Sequence, residues 1–223
     1  MMSNEYSDVH ALENALLSRI ALLIENCIHD TGKATILLSG GSTPVELYRK
    51  MSHLDLDWTR VYVGLVDERY VETHDTMSNE RLIRETLLQH RAKDANFMGM
   101  VHTFQSPEDN LIQVNQAYEQ HFAHVDICLL GMGNDGHTAS LFPNDSASSH
   151  SLNSKSNDPL VIYTNAPAHP VHRISASFSY LMQSKHLILM LTGAVKKTLF
   201  FETNRDMLPI DYFKEKLEVH YES

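Results

Sequence analysis

Apolar residues recur at helical spacing between Val9 and Ile28, at Leu12, Leu16, Ile20, Leu23 and Ile24, and this period predicts an amphipathic helix. The HDTGK that follows supplies its stop and turn. Beyond it the pattern changes to short apolar runs of strand length: ATILL (34–38), VYVGLVDE (61–68), VDICLLG (125–131), PLVIYTN (159–165) and HLILMLTG (186–193). LEVHYES (217–223) reads as a last strand. Helical spacing returns in PVELYRKMS, NERLIRETLLQ, EDNLIQVNQAYEQHF and AVKKTLFFE, with Pro44 near a first turn and Ser78 or Asn79 as a cap. Strands alternating with helices predict an α/β fold built on a largely parallel, Rossmann-like sheet flanked by helices. One stretch departs from both periods. NDSASSHSLNSKSND (144–158) offers almost nothing to bury and reads as a mobile surface loop. No internal repeat is visible, and the 223 residues are read as one domain.

In such sheets a ligand sits at the carboxyl ends of the strands, so the residues just after each apolar run matter most. After the first run comes Ser39-Gly40-Gly41-Ser42-Thr43-Pro44. Two glycines, two hydroxyls and a helix start make a phosphate cradle, with a plain tight turn as the equal alternative; the Gly-Lys-Ser/Thr ending of a Walker A loop is missing. After the second run comes Asp67-Glu68-Arg69, a charged triplet that is either a solvated loop or part of the same site. After the third comes GMGNDGHTASLFP (131–143), whose Gly131-x-Gly133-x-x-Gly136 has the spacing of a dinucleotide turn. Asp135 would set a carboxylate against a pyrophosphate, and Pro143 cuts short a following helix. The acid–base reading explains more: the glycines allow a sharp turn, His137 sits on it, and Asp135 lies two residues away to fix its tautomer. Lys196 and Lys197 open the helix after HLILMLTG, where cations oppose the helix dipole unless an anion lies near; two solvated lysines are the alternative. Arg173 stands in HRISASF.

Charge and composition narrow the partners. The formal charge is −10, with no basic block, which argues against a nucleic-acid groove. No apolar run approaches the ~18 residues of a membrane span, and the N-terminal stretch lacks the basic and apolar regions of a signal peptide. Cys27 and Cys128 lie in apolar surroundings and read as reduced core thiols, which makes the cytoplasm the default location.

Taken together, SGGSTP, the DER…SN segment from Asp67 to Asn79, GMGNDGHTASLFP, Arg173 and Gly193-x-x-Lys196 resemble, in this order, the motifs of 6-phosphogluconolactonases. These belong to a superfamily that includes the glucosamine-6-phosphate deaminases. The resemblance implies the deaminase-like α/β fold, no metal and no organic cofactor. It implies hydrolysis of 6-phospho-D-glucono-1,5-lactone to 6-phosphogluconate; a monomer is one expectation, the oligomeric state being left open by the sequence. His137 matches the general base and Asp135 its neighbouring carboxylate. Gly40, Gly41, Ser42, Thr43, Asp67 and Asn134 match substrate-binding positions. Arg69, Arg173 and Lys196 match basic positions around phosphate or lactone oxygens, with the division among the three left open. The deaminase pattern has Asn-Glu-Pro where this chain has Leu141-Phe142-Pro143, and a tyrosine where it has Arg69, so the lactonase branch fits better. Three departures concern the substrate loops. Glu72 stands where a proline is common, the segment after Pro143 is unusually rich in Ser and Asn, and HRISAS is a loose match to an Arg-Ile-Thr form.

Overall fold

The computed structural model describes residues 2–104, 106–154, 158–202 and 205–223. The apolar runs become strands because they are buried on both faces: all five residues of ATILL and all four of ICLL are inaccessible. In chain order the elements are β1 (Met2–Tyr6), α1 (Val9–Thr31), β2 (Ala34–Leu38), α2 (Val45–Met51), β3 (Val61–Leu65), β4 (Asp67–Arg69), α3 (Asn79–Thr86) and β5 (Asn96–Phe97). They continue with α4 (Pro107–Phe122), β6 (Ile127–Leu130), α5 (Ser146–Asn153), β7 (Val161–Asn165), β8 (His172–Ala176), α6 (Phe178–Leu181), β9 (His186–Leu191), α7 (Ala194–Phe201) and β10 (Glu218–Glu222). Seven strands form a parallel sheet in the order β1-β10-β9-β6-β2-β3-β5. A smaller antiparallel sheet, β4-β8-β7, stands beside it.

From β2 the chain runs outward through β3 to β5, then returns to place β6 on the other side of β2. That reversal opens a crevice between the carboxyl ends of β2 and β6. The SGGSTP loop leaves β2 and the GMGNDGHTASLFP loop leaves β6, so both border it. The two exits are tied directly: Ser39 N–H donates to Leu129 O at 3.1 Å, and Gly131 N–H reaches Ser39 Oγ at 3.3 Å.

Several sequence expectations change. VYVGLVDE is two strands, since at Val66 the chain passes from the large sheet into the small one. PLVIYTN joins that antiparallel sheet, and HRISA is its middle strand. The first strand is β1, not ATILL; its pattern is too polar to read because it is an edge strand, more exposed than buried, paired only with β10. The segment read as a mobile loop contains α5. Asp145 caps it by accepting Ser148 N–H at 2.8 Å, and serines rather than large apolar groups face inward, with Ser148 and Ser151 buried beside Leu152. Residues 155–157 of that segment lie outside the described ones. Of the two candidate caps for α3, Ser78 serves, accepting Arg81 N–H at 3.2 Å.

Candidate active site

The cleft at the crevice encloses about 230 Å³, the scale of one small metabolite rather than a polymer groove. Gly40, Gly41, Ser42 and Thr43 form one side, Gly133 and His137 the other, with Asp67 and Arg69 from β4 and Lys196 from α7 completing the wall. Thus four segments remote in sequence meet there.

The turn carrying His137 is closed by Gly133 N–H donating to His137 O at 2.9 Å, while Asp135 folds back over it. His137 Nδ1 lies 2.5 Å from Asp135 Oδ1, and the His137 N–H reaches the same oxygen at 3.2 Å. A side chain at Gly133 has no room, because its Cβ would fall 2.2 Å from two atoms of the imidazole. Because a carboxylate oxygen accepts, this contact selects for the neutral ring the tautomer with the proton on Nδ1 and the lone pair on Nε2. Partial burial pushes the Asp135 carboxyl up, but the hydrogen bonds and charge of His137 outweigh it and hold the carboxyl below its ordinary range. Phe142 packs on the imidazole with ring centroids 4.7 Å apart, so no second acid stands at that position.

The His137 loop is anchored through Ser140, which is buried. Its hydroxyl donates to Asp67 Oδ2 at 2.5 Å, its N–H goes to Ser175 Oγ at 3.1 Å, and its carbonyl accepts the Thr164 hydroxyl at 2.6 Å. The small sheet therefore sets the position of the His137 turn through a buried polar network.

Glu68 organises the wall beside it. One per cent exposed, its carboxyl accepts the N–H groups of Arg69, Asn79 and Glu80, each at 2.7 Å, and the Ser78 hydroxyl at 2.9 Å. Burial still raises it from 4.5 to about 7. Asn79, held there, donates Nδ2–H to Asp67 O at 2.8 Å, and its Oδ1 lies under Gly40, where a Cβ would come within 1.8 Å. Glycine at position 40 is thus demanded by close approach of the loop to Asn79. Among the described residues, the N–H groups of Gly40, Gly41 and Ser42 donate to no protein acceptor, and all three residues line the cleft.

The cations are arranged unusually. Arg69 and Arg173 are directly opposed in the antiparallel β4–β8 pair, a like-charge pairing that costs stability unless an anion lies between them. Arg173 is buried, its Nε has no hydrogen-bond partner, and its guanidinium lies 5.9 Å from the Phe142 ring. Burial, then the charge of Arg69, lowers its proton affinity. Burial also lowers that of Lys196, which makes no ion pair among the described residues.

Of the residues singled out from sequence, the structure brings Gly40, Gly41, Ser42, Thr43, Asp67, Arg69, His137 and Lys196 to one cleft. Asp135 touches it through His137, and Arg173 stands behind Phe142. Asn134 instead borders a neighbouring groove with Ala194, Val195 and Thr198. Glu68, Asn79 and Ser140 fall inside the quoted motifs, but sequence reasoning gives none of them a role, because what each side chain touches is set only when the sheets assemble.

The chain is similar to known proteins along most of its length. The family model described as glucosamine-6-phosphate isomerases/6-phosphogluconolactonase matches residues 7–220. A curated 6-phosphogluconolactonase of Helicobacter pylori is 33% identical over 206 residues, covering 92% of this chain and 87% of its own. The crystal structure of a 6-phosphogluconolactonase from Shewanella baltica is 33% identical and superposes with a TM-score of 0.92 over 100% of this chain and 98% of its own. A monomeric glucosamine-6-phosphate deaminase, 19% identical with a TM-score of 0.78 over 100% of this chain and 97% of its own, shares the fold. Among the described residues, no helix is long and apolar enough to cross a membrane. The chain belongs to the glucosamine-6-phosphate isomerase/6-phosphogluconolactonase family.

Proposed function

We propose that the protein hydrolyses 6-phospho-D-glucono-1,5-lactone to 6-phosphogluconate, the second step of the oxidative pentose phosphate pathway, with His137 as general base. The observation that carries this reading is the 2.5 Å Asp135–His137 contact in a cleft also lined by Lys196 and Arg69. His137 Nε2 takes a proton from water as the water oxygen bonds to C1 of the lactone. The carbonyl oxygen becomes an oxyanion, stabilised by donors such as the free N–H groups of the glycine loop. Collapse breaks the bond from C1 to the ring oxygen, which receives the proton back from His137, and the new carboxylic acid then ionises. Asp135 stabilises the transient imidazolium. Lys196 and Arg69, which line the cleft, bind the phosphate and orient the lactone without entering bond making, while Arg173 beside Phe142 adds positive charge nearby.

Family membership alone leaves the deaminase chemistry open. Phe142 opposes it, since an aromatic ring packed at a tilt against the imidazole has no proton to exchange. The test is proton release in weakly buffered solution on freshly generated lactone, alongside ammonia release from glucosamine 6-phosphate. Acceleration of the first without the second is expected. Ammonia release without lactone hydrolysis would overturn the assignment.

A further inference from the structure

Lys196 owes its place in the cleft to the start of α7, and that start is gripped from outside the cleft by β10 and β1. Glu222 Oε1 accepts the Gly193 N–H at 2.7 Å. Gly193 is the residue from which α7 departs, with φ at 90°. One position beyond Lys196, Lys197 reaches Glu5 Oε1 at 3.4 Å and lies 5.5 Å from the centre of the Tyr221 ring. Glu5 and Tyr221 are register partners in the β1–β10 pair, so these contacts come from one patch of sheet edge. The same Tyr221 meets Phe201, at the other end of the helix, with ring centroids 5.0 Å apart.

Neither Glu222 nor Glu5 nor Tyr221 lines the cleft. Their effect on it must pass through α7. A carboxylate at a helix start is stabilised by the helix dipole, and here it also satisfies an N–H that no intrahelical carbonyl can reach. From Gly193 to Lys196 is less than one helical turn. If the first turn frays or tilts, the ammonium moves with it, while Lys197 and Phe201 keep the rest of the helix docked.

We propose that Glu222 is a positioning residue for anion binding: by holding the Gly193 N–H it fixes the first turn of α7 and so sets the Lys196 ammonium against the substrate phosphate. This inference rests on the reading of Lys196 as a phosphate contact.

The experiment measures KM for the phosphorylated lactone, kcat, and inhibition by inorganic phosphate in Glu222→Ala, Glu222→Gln, Lys196→Ala and the Lys196→Ala/Glu222→Ala double variant, with a melting curve for each. Glu222→Ala should raise KM and the phosphate inhibition constant on the order of fivefold at unchanged kcat, the size expected for coupling through a packed element. Glu222→Gln keeps an oxygen acceptor and should recover most of the loss. In the Lys196→Ala background, Glu222→Ala should have no further effect. Additive effects of the two substitutions would overturn the inference, as would a Glu222→Ala variant that loses kcat and melting temperature together without a change in phosphate inhibition. If Lys196→Ala leaves phosphate inhibition unchanged, the reading of Lys196 fails first and takes the inference with it. If Lys196→Ala weakens phosphate but both Glu222 variants match wild type, the inference alone fails.

Discussion

Replacing Asp135 with Asn keeps the shape of the side chain and removes its charge. The substitution weakens one charge-assisted hydrogen bond, 2.5 Å long, between side chains that are 41% and 33% exposed. Such a bond contributes about 1.5–3 kcal/mol when shielded, and partial exposure places this one near the lower end, at about 1.5–2 kcal/mol. If that energy is expressed when His137 becomes an imidazolium in the transition state, kcat falls about 10- to 30-fold at unchanged KM. His137→Ala removes the base itself and should reduce kcat by ~10²–10⁴. The double variant should match His137→Ala alone, because Asp135 then has nothing to act upon. Proton release on freshly generated lactone, with the spontaneous rate subtracted, measures all three. An Asp135→Asn enzyme within about threefold of wild type, or a double variant well below His137→Ala, would refute the assignment of Asp135 to His137.

Three further outcomes follow from the same geometry. Gly133→Ala forces a Cβ into the imidazole, and should abolish most turnover while phosphate still raises the melting temperature; full activity would mean the turn relaxes freely. Burial raises the Glu68 carboxyl from 4.5 to about 7, so the folded state binds that proton more tightly. Its contribution to stability is full below 4.5 and is lost as pH rises through about 7. Melting temperatures between pH 5 and 8 should fall more steeply for wild type than for Glu68→Gln, and equal slopes would count against the raised carboxyl. Arg173→Met removes a buried like-charge partner of Arg69, so the ligand-free protein should melt no lower than wild type while stabilisation by phosphate shrinks. A large loss of stability without phosphate would show that Arg173 is held by protein contacts alone.

Most of the parallel sheet was legible because its strands are continuous apolar runs and its helices keep a clear period. Two physical causes account for what was illegible: β1 is an exposed edge strand with no apolar run, and elsewhere burial is achieved by polar residues. α5 turns Ser148 and Ser151 inward, and the Ser148 hydroxyl donates to Asp145 at 2.7 Å while accepting the Phe142 N–H at 2.9 Å. Composition alone made that segment look soluble and loose. The site divides in the same way. His137 could be found because its glycine-rich turn follows a strand, and Arg69 and Lys196 because they follow strands too. Glu68 stood in the same triplet, yet only the folded chain shows that it faces inward and gathers the start of α3. Asn134, adjacent to Asp135 in sequence, faces another groove, since neighbours in a tight turn point different ways.

The pairing of β1 with β10 bears on how the molecule is made. Asn4 donates its side-chain amide to Val219 O across 215 residues of sequence, and β1 has no other neighbour in the sheet. Within this sheet β1 precedes every other strand and its partner β10 follows them all, so the pair closes across the largest sequence separation in the sheet. Non-local pairing of this kind is slow to form and leaves an exposed edge meanwhile. Glu5 and Glu222 lie on that seam, so the grip on α7 depends on the most non-local pairing of the sheet.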